Sequence, residues 1–203
     1  GKARLFAVVK GNGYGLGLVP LAAICRDAGV DTFCVTEVSD AKQLRDAGFT
    51  QDILMIRPTC DVDEVHQLLD LRVILTVSSP DDAAVLNGIA TQRKQRIRAH
   101  VEIDTGMGRY GFLPSELDKL IHLYSYMDGL ELCGIYTHFH SAFCNKKATD
   151  LQMVAFRSVI RQLQEKGFDV GVCHCCNSAG LLRFPNYAMD AVRVGSAILG
   201  RLS

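Results

Sequence analysis

The 203-residue chain carries 22 Lys plus Arg against 22 Asp plus Glu, so its formal net charge is zero and no global field recruits nucleic acid or an anionic membrane. No apolar run reaches the ~18 residues that span a bilayer, and the first residues lack the charged and apolar regions of a signal peptide. Eight cysteines, several inside strand-like runs such as Thr32-Phe33-Cys34-Val35, fit the reducing cytoplasm better than a disulfide framework and leave a small molecule as the expected partner.

Short apolar, β-rich runs alternate with helix-like stretches from end to end, without a linker or low-complexity tract. Leu5–Val9 predicts a first strand, followed by a glycine-rich turn and a helix over Leu18–Ala28. Thr32–Val35 leads to a helix over Val38–Ala47, Ile53–Ile56 to one over Val62–Leu69, and Val73–Thr76 to one over Pro80–Ala90. Ile97–Ile103 is followed by Pro114–Tyr126, and Leu130–Tyr136 by Thr149–Lys166. Val170–His174 and Ala191–Val194 complete the strands with a short connection between them. Gly29, Gly48 and Gly167 are helix stop signals. The strand runs are apolar on consecutive residues, as strands covered on both faces are. Strict alternation with eight strands predicts a TIM-type (β/α)8 barrel over residues 1–203, with a doubly wound open sheet as the alternative.

A barrel builds its active site from the C-terminal ends of its strands. Strand one delivers Lys10 and Tyr14, strand five leads through Asp104-Thr105-Gly106-Met107-Gly108 to Arg109, and strand six delivers His138 and His140. Strand seven adds His174, Asn177 and Ser178, and strand eight adds Arg193 and Gly195. An amine at the end of a buried strand is partly desolvated, which favours its neutral, nucleophilic form and suits capture of an aldehyde. The loops after strands seven and eight are the usual barrel phosphate site, where Ser178 and the amides of Gly195 and Ser196 are the donors. Two metal readings compete: His138-Phe139-His140 puts two imidazoles on one side of an extended segment, and Cys173-His174-Cys175-Cys176 invites zinc. Adjacent strand residues point to opposite faces, however, and an arginine such as Arg193 repels a cation, so no metal is expected.

Ala7-Val8-Val9-Lys10-Gly11-Asn12-Gly13-Tyr14-Gly15-Leu16-Gly17, Asp104 to Phe112, Tyr136-Thr137-His138-Phe139, Asn177-Ser178-Ala179 and Val192-Arg193-Val194-Gly195 together resemble the pyridoxal-phosphate barrel of the alanine racemase family. The resemblance implies a pyridoxal 5'-phosphate cofactor held by Lys10 as a Schiff base, with Lys10 also exchanging the substrate α-proton on one face. It implies that Tyr14, Asn177, Ser178, Gly195 and Ser196 hold the cofactor, that Arg193 faces the pyridine nitrogen, and that His138 bonds and orients that arginine. Arg109 is implied beside the cofactor's phenolic oxygen and the substrate carboxylate. The implied activity is interconversion of L- and D-amino acids, alanine foremost, in a homodimer; serine, lysine or ornithine racemases and a non-catalytic pyridoxal-phosphate homeostasis barrel are the alternatives. Leu16 departs from the histidine that many relatives carry, and Glu102 stands where some carry a carbamylated lysine, so that a carboxylate beside Arg109 is expected from it directly. The family's C-terminal β domain, source of a second catalytic tyrosine, is missing from the sequence, which reads as a piece of a longer racemase.

Overall fold

The computed structural model describes residues 3–201. Eight parallel strands form it: β1 (Arg4–Val8), β2 (Thr32–Val35), β3 (Asp52–Met55), β4 (Leu75–Val77), β5 (Ile97–Glu102), β6 (Leu130–Tyr136), β7 (Val172–His174) and β8 (Ala191–Val194). Their order is β3-β2-β1-β8-β7-β6-β5-β4. The two ends of that series meet through a parallel bridge between Leu54 and Ile74, with Met55 N–H on Ile74 O at 2.9 Å and Ile74 N–H on Ile53 O at 2.8 Å. The sheet therefore closes into the expected barrel.

Alternation along each strand divides the core in two. Ala7, Val9, Phe33, Val35, Ile53 and Met55 point outward into the layer formed with Leu21, Ala22, Leu44, Val65 and Leu68 of the surrounding helices. Phe6, Val8, Cys34, Leu54, Ile74 and Ala191 point inward and fill one side of the barrel. The rest of the interior is polar: Thr76, His100, Glu102, His174 and Arg193 are all buried there.

The departures from the predicted elements have local causes. β7 starts at Val172 because Gly171 sits at φ +66°, with the Cys133 backbone where a Cβ would stand at 2.3 Å. The helix expected from Pro114 begins at Leu117, after a turn in which the Glu116 carboxylate accepts Leu113 N–H at 2.9 Å. A short helix over Ser178–Arg183, capped by Asn177, occupies the seventh connection. No helix among the described residues is long and apolar enough to cross a membrane.

Phe33 is fully buried and meets Phe49 edge-on at 5.5 Å. Phe33→Ala is expected to lower the free energy of urea unfolding by about 3–5 kcal/mol, through lost burial and the cavity left between sheet and helix.

Candidate active site

The chain reverses its hand immediately after Lys10. Gly11, Asn12 and Gly13 have φ of 60°, 51° and 61°, Tyr14 has φ of 56°, and Gly13 N–H bonds Val9 O at 2.9 Å. One turn of left-handed helix results. Such geometry costs an ordinary L-residue roughly 1–2 kcal/mol, so the glycines lighten it, and Asn12 secures it by accepting Leu18 N–H on Oδ1 at 3.0 Å. The turn sets Lys10 and Tyr14 on the wall of one cavity of about 200 Å3, shared with His138, Asn177, Ser178, Arg193, Gly195 and Ser196. The sequence-predicted cofactor residues thus converge.

At one end of this cavity, Tyr14 lies so close to Gly195 that a Cβ there would stand 2.1 Å from the phenol oxygen. Ser178 Oγ accepts N–H from Gly195 at 3.1 Å and from Ala197 at 3.2 Å. These two amides thus hold the Ser178 hydroxyl in place where the chain turns into the helix of Ser196–Leu199, and Ser196 itself borders the cavity. Burial raises the Tyr14 pKa, so the phenol keeps its proton and can donate it. The end is rich in donors and has no carboxylate on its wall, which suits a phosphate dianion.

At the other end sits Arg193, only 3% exposed. Its Nη1 donates to His174 Nδ1 at 2.6 Å and to His174 O at 3.2 Å, while Nη2 donates to Thr137 O at 2.8 Å. The histidine that orients Arg193 is thus His174, correcting the expectation for His138. His138 instead borders the cavity beside Lys10, with Nε2 3.4 Å from Asn177 Nδ2. Burial and the charges of Arg193, Arg109 and Lys10 push its pKa down to about 3, so it stays neutral. Asn177 also donates to Phe139 O at 3.0 Å.

A second cavity of about 240 Å3 shares Lys10, Ile56, His138 and Arg193 with the first and adds Arg57, Arg109 and Tyr110. The loop bearing Arg109 is folded on Asp104, whose carboxylate accepts Gly106 N–H at 2.9 Å and Gly108 N–H at 3.0 Å. Asp104 N–H to Phe112 O and Phe112 N–H to Glu102 O, each 2.9 Å, close its base. Gly111 permits this closure, since a Cβ there would lie 2.5 Å from Asp104 N. The glycines of this motif are thus geometric requirements.

A family profile, "Alanine racemase, N-terminal domain", matches residues 1–203. The chain belongs to the alanine racemase N-terminal domain family. It is 39% identical over 200 residues to the alanine racemase of Desulforamulus reducens, covering 97% of this chain and 54% of that protein. It superposes on alanine racemase from Bacillus anthracis with bound L-Ala-P at a TM-score of 0.88 and 34% identity, covering 98% of this chain and 51% of that one. For the Corynebacterium glutamicum enzyme the values are 0.89 and 32%, over 98% of this chain and 57% of that one. The chain spans about half the length of the curated relatives it matches.

Within the family frame, Glu102 departs from expectation. Its carboxyl accepts from Tyr136 OH at 3.0 Å; no hydrogen bond or ion pair joins it to Arg109 among the described residues, though the Arg109 charge still favours its ionised form. The side chain stops at the barrel interior. Sequence reasoning also passed over Gln152, a buried residue on the helix Lys146–Glu165. Its Nε2 donates to Thr105 Oγ1 at 3.1 Å and to His138 O at 3.0 Å, and its Oε1 accepts His140 N–H at 3.2 Å. This amide ties the strand-five loop to the end of β6. The pattern of the helix alone marks Gln152 as inward-facing, which is the signal that could have found it. Among the described residues no group of three or more His, Cys, Asp or Glu could hold a metal ion.

Opposed influences set the state of Glu102. Tyr136 OH donates to its carboxylate at 3.0 Å, and Thr76 Oγ1, which donates to Met55 O at 2.7 Å, lies 3.1 Å from the same phenol oxygen. Burial favours the neutral acid and outweighs the Tyr136 hydrogen bond and the charges of Arg193 and Arg109, which favour the carboxylate. Burial raises the Glu102 pKa to about 7. The folded chain holds a proton that an unfolded carboxyl releases near pH 4.5, so Glu102 contributes a loss of stability as pH rises from about 4.5 to about 7 and nothing further above. Its size is on the order of 3 kcal/mol. Urea unfolding across that pH range is expected to show a slope that Glu102→Gln flattens.

Proposed function

We propose that this chain is the cofactor-bearing barrel of a pyridoxal-phosphate-dependent amino-acid racemase, acting on alanine. The observation that carries the reading is one cavity walled by Lys10, by the donor-only Arg193 and by the anion-suited end of Tyr14, Ser178 and Gly195. The donor set fits the cofactor: hydroxyls and amides for the phosphate, an amine for the aldehyde, a guanidinium for the ring nitrogen.

When bound there, pyridoxal phosphate supplies the electron-withdrawing ring that acidifies the α-hydrogen of an attached amino acid. Lys10 would hold the aldehyde group, and its amine would be the base that takes and returns a proton at the substrate α-carbon on one face. Arg193, a donor-only group, would face the ring nitrogen. Its charge would keep that nitrogen unprotonated and limit the ring's electron demand, which would favour simple reprotonation over transamination. Arg109 orients the substrate carboxylate through its planar two-donor face. His138, held neutral by its surroundings, adds no charge beside Lys10.

The loop from Asp104 to Phe112 favours this reading over a non-catalytic carrier, because it brings Arg109 and Tyr110 to a second cavity contiguous with Lys10. A carrier needs only the first.

The purified chain given pyridoxal phosphate is expected to develop a visible absorption band, and borohydride to remove the band while fixing the cofactor mass on Lys10. Lys10→Ala should do neither; a wild-type chain with no trappable label at Lys10 overturns the cofactor reading. In D2O, the loaded chain is expected to place deuterium on the α-carbon of L-alanine, and Arg109→Ala to slow this about 100-fold, as loss of one charge-stabilising donor typically does. Cofactor labelling without deuterium incorporation would support the carrier.

A further inference from the structure

Neither cavity is lined by His100, yet the barrel is shaped around it. The pairing of β5 with β6 slips by one residue between Ala99 and His100, so that Ala99 faces Leu132 while His100 faces Gly134. Without the slip, His100 would face Cys133. A Cβ on Gly134 would lie 2.6 Å from the imidazole, so only glycine leaves room for the ring. The slip brings Gly134 opposite His100, and the glycine leaves the ring its room.

The ring is committed to one contact. His100 Nδ1 lies 2.8 Å from His174 Nε2, and Phe6 packs against the two imidazoles at 6.5 and 5.3 Å. The direction of the hydrogen bond follows from elementary donor counting. Arg193 Nη1 can only donate, so His174 Nδ1, 2.6 Å away, accepts. A neutral imidazole with Nδ1 unprotonated carries its hydrogen on Nε2. That N–H therefore donates to His100 Nδ1, and the His100 proton resides on Nε2. Both rings are neutral: burial and Arg193 push His174 well below the ordinary histidine value, and burial takes His100 down to about 3. An acceptor at position 100 is what a buried His174 N–H requires once its other nitrogen serves Arg193.

We propose that His100 is a positioning residue: by accepting from His174 it fixes that ring's orientation and, through it, the Arg193 guanidinium at the cavity. Its functional meaning rests on the reading of the cavity as a cofactor site; the hydrogen-bond relay itself does not. Arg193, His174 and His100 form a one-way series of donors running from the cavity into the barrel interior.

The test is histidine 15N NMR on the cofactor-free chain, whose six histidines are assigned by single substitution. The wild type is expected to show His174 and His100 neutral, each with the hydrogen on Nε2 and with no titration down to about pH 5. His100→Asn keeps an acceptor at the Nδ1 place and should preserve the His174 signature. His100→Leu keeps apolar bulk without an acceptor; it should shift the His174 resonances and weaken pyridoxal-phosphate binding about 10-fold, the lower end of what loss of such an orienting partner costs. Should His100→Leu fail to fold, the wild type and His100→Asn decide. A hydrogen on His174 Nδ1 or His100 Nδ1, a His174 cation at neutral pH, or a His100→Leu spectrum and affinity equal to wild type would overturn the proposal. Failure of Lys10 labelling with the relay intact would remove only the cofactor reading.

Discussion

A guanidinium buried without a carboxylate partner is the constraint on which this barrel turns. Removing a charge from water is costly unless it is hydrogen-bonded in full, and Arg193 makes no ion pair among the described residues. Its bonds run to an imidazole nitrogen and two carbonyls, and its guanidinium carbon stands 4.8 Å from the Tyr136 ring centre. All these partners are neutral. The arrangement leaves positive charge uncompensated at the cavity wall, so an electron-rich ligand completes it and further cations are disfavoured. His138, His174 and His100 obey that field by remaining unprotonated.

Two supports hold the guanidinium, and they are chemically different. The imidazole arm is directional, because the fixed donor character of arginine sets the tautomers behind it. The phenol arm is a surface: Tyr136 stacks on His174 at 5.0 Å and 14°, under the guanidinium, and its hydroxyl is anchored by Thr76 and Glu102. Since Tyr136 touches both the arginine and its histidine, the two arms share one ring. A lysine at position 193 would present a point charge without the planar fork, and would lose either the His174 or the Thr137 bond.

Much of this was legible in the sequence. Consecutive apolar residues and regular alternation identified the eight strands, because a doubly covered strand has no polar face to hide. Lys10, Tyr14, Ser178 and Gly195 were legible as a group because strand ends in a barrel share one rim. Which of two rim histidines meets Arg193 was not, since His138 and His174 differ only in which way each ring leaves its strand, a matter of ångströms. His100 was read as one more strand residue; its role needs a register slip and a glycine on the neighbouring strand, neither visible before pairing is known. Nor does composition reveal a left-handed turn. The glycines around Asn12 permit one, but permission is not geometry.

The charges of the site divide by their sensitivity to pH, and the division follows from burial. The three histidines around Arg193 stay neutral through the range in which histidine ordinarily titrates. The donors and acceptors that face the cavity are therefore constant where a cell's pH varies. Glu102, with its pKa raised to about 7, is the acid that changes state near neutrality, and it does so behind Tyr136, away from the cavity wall. The ionised form there gains from the phenol's donated hydrogen bond and from the charges of Arg193 and Arg109. Desolvation sides with the neutral acid and outweighs both. The barrel thus tolerates a carboxyl at this depth by letting it take up a proton near neutrality and by giving its charged form a donor in Tyr136.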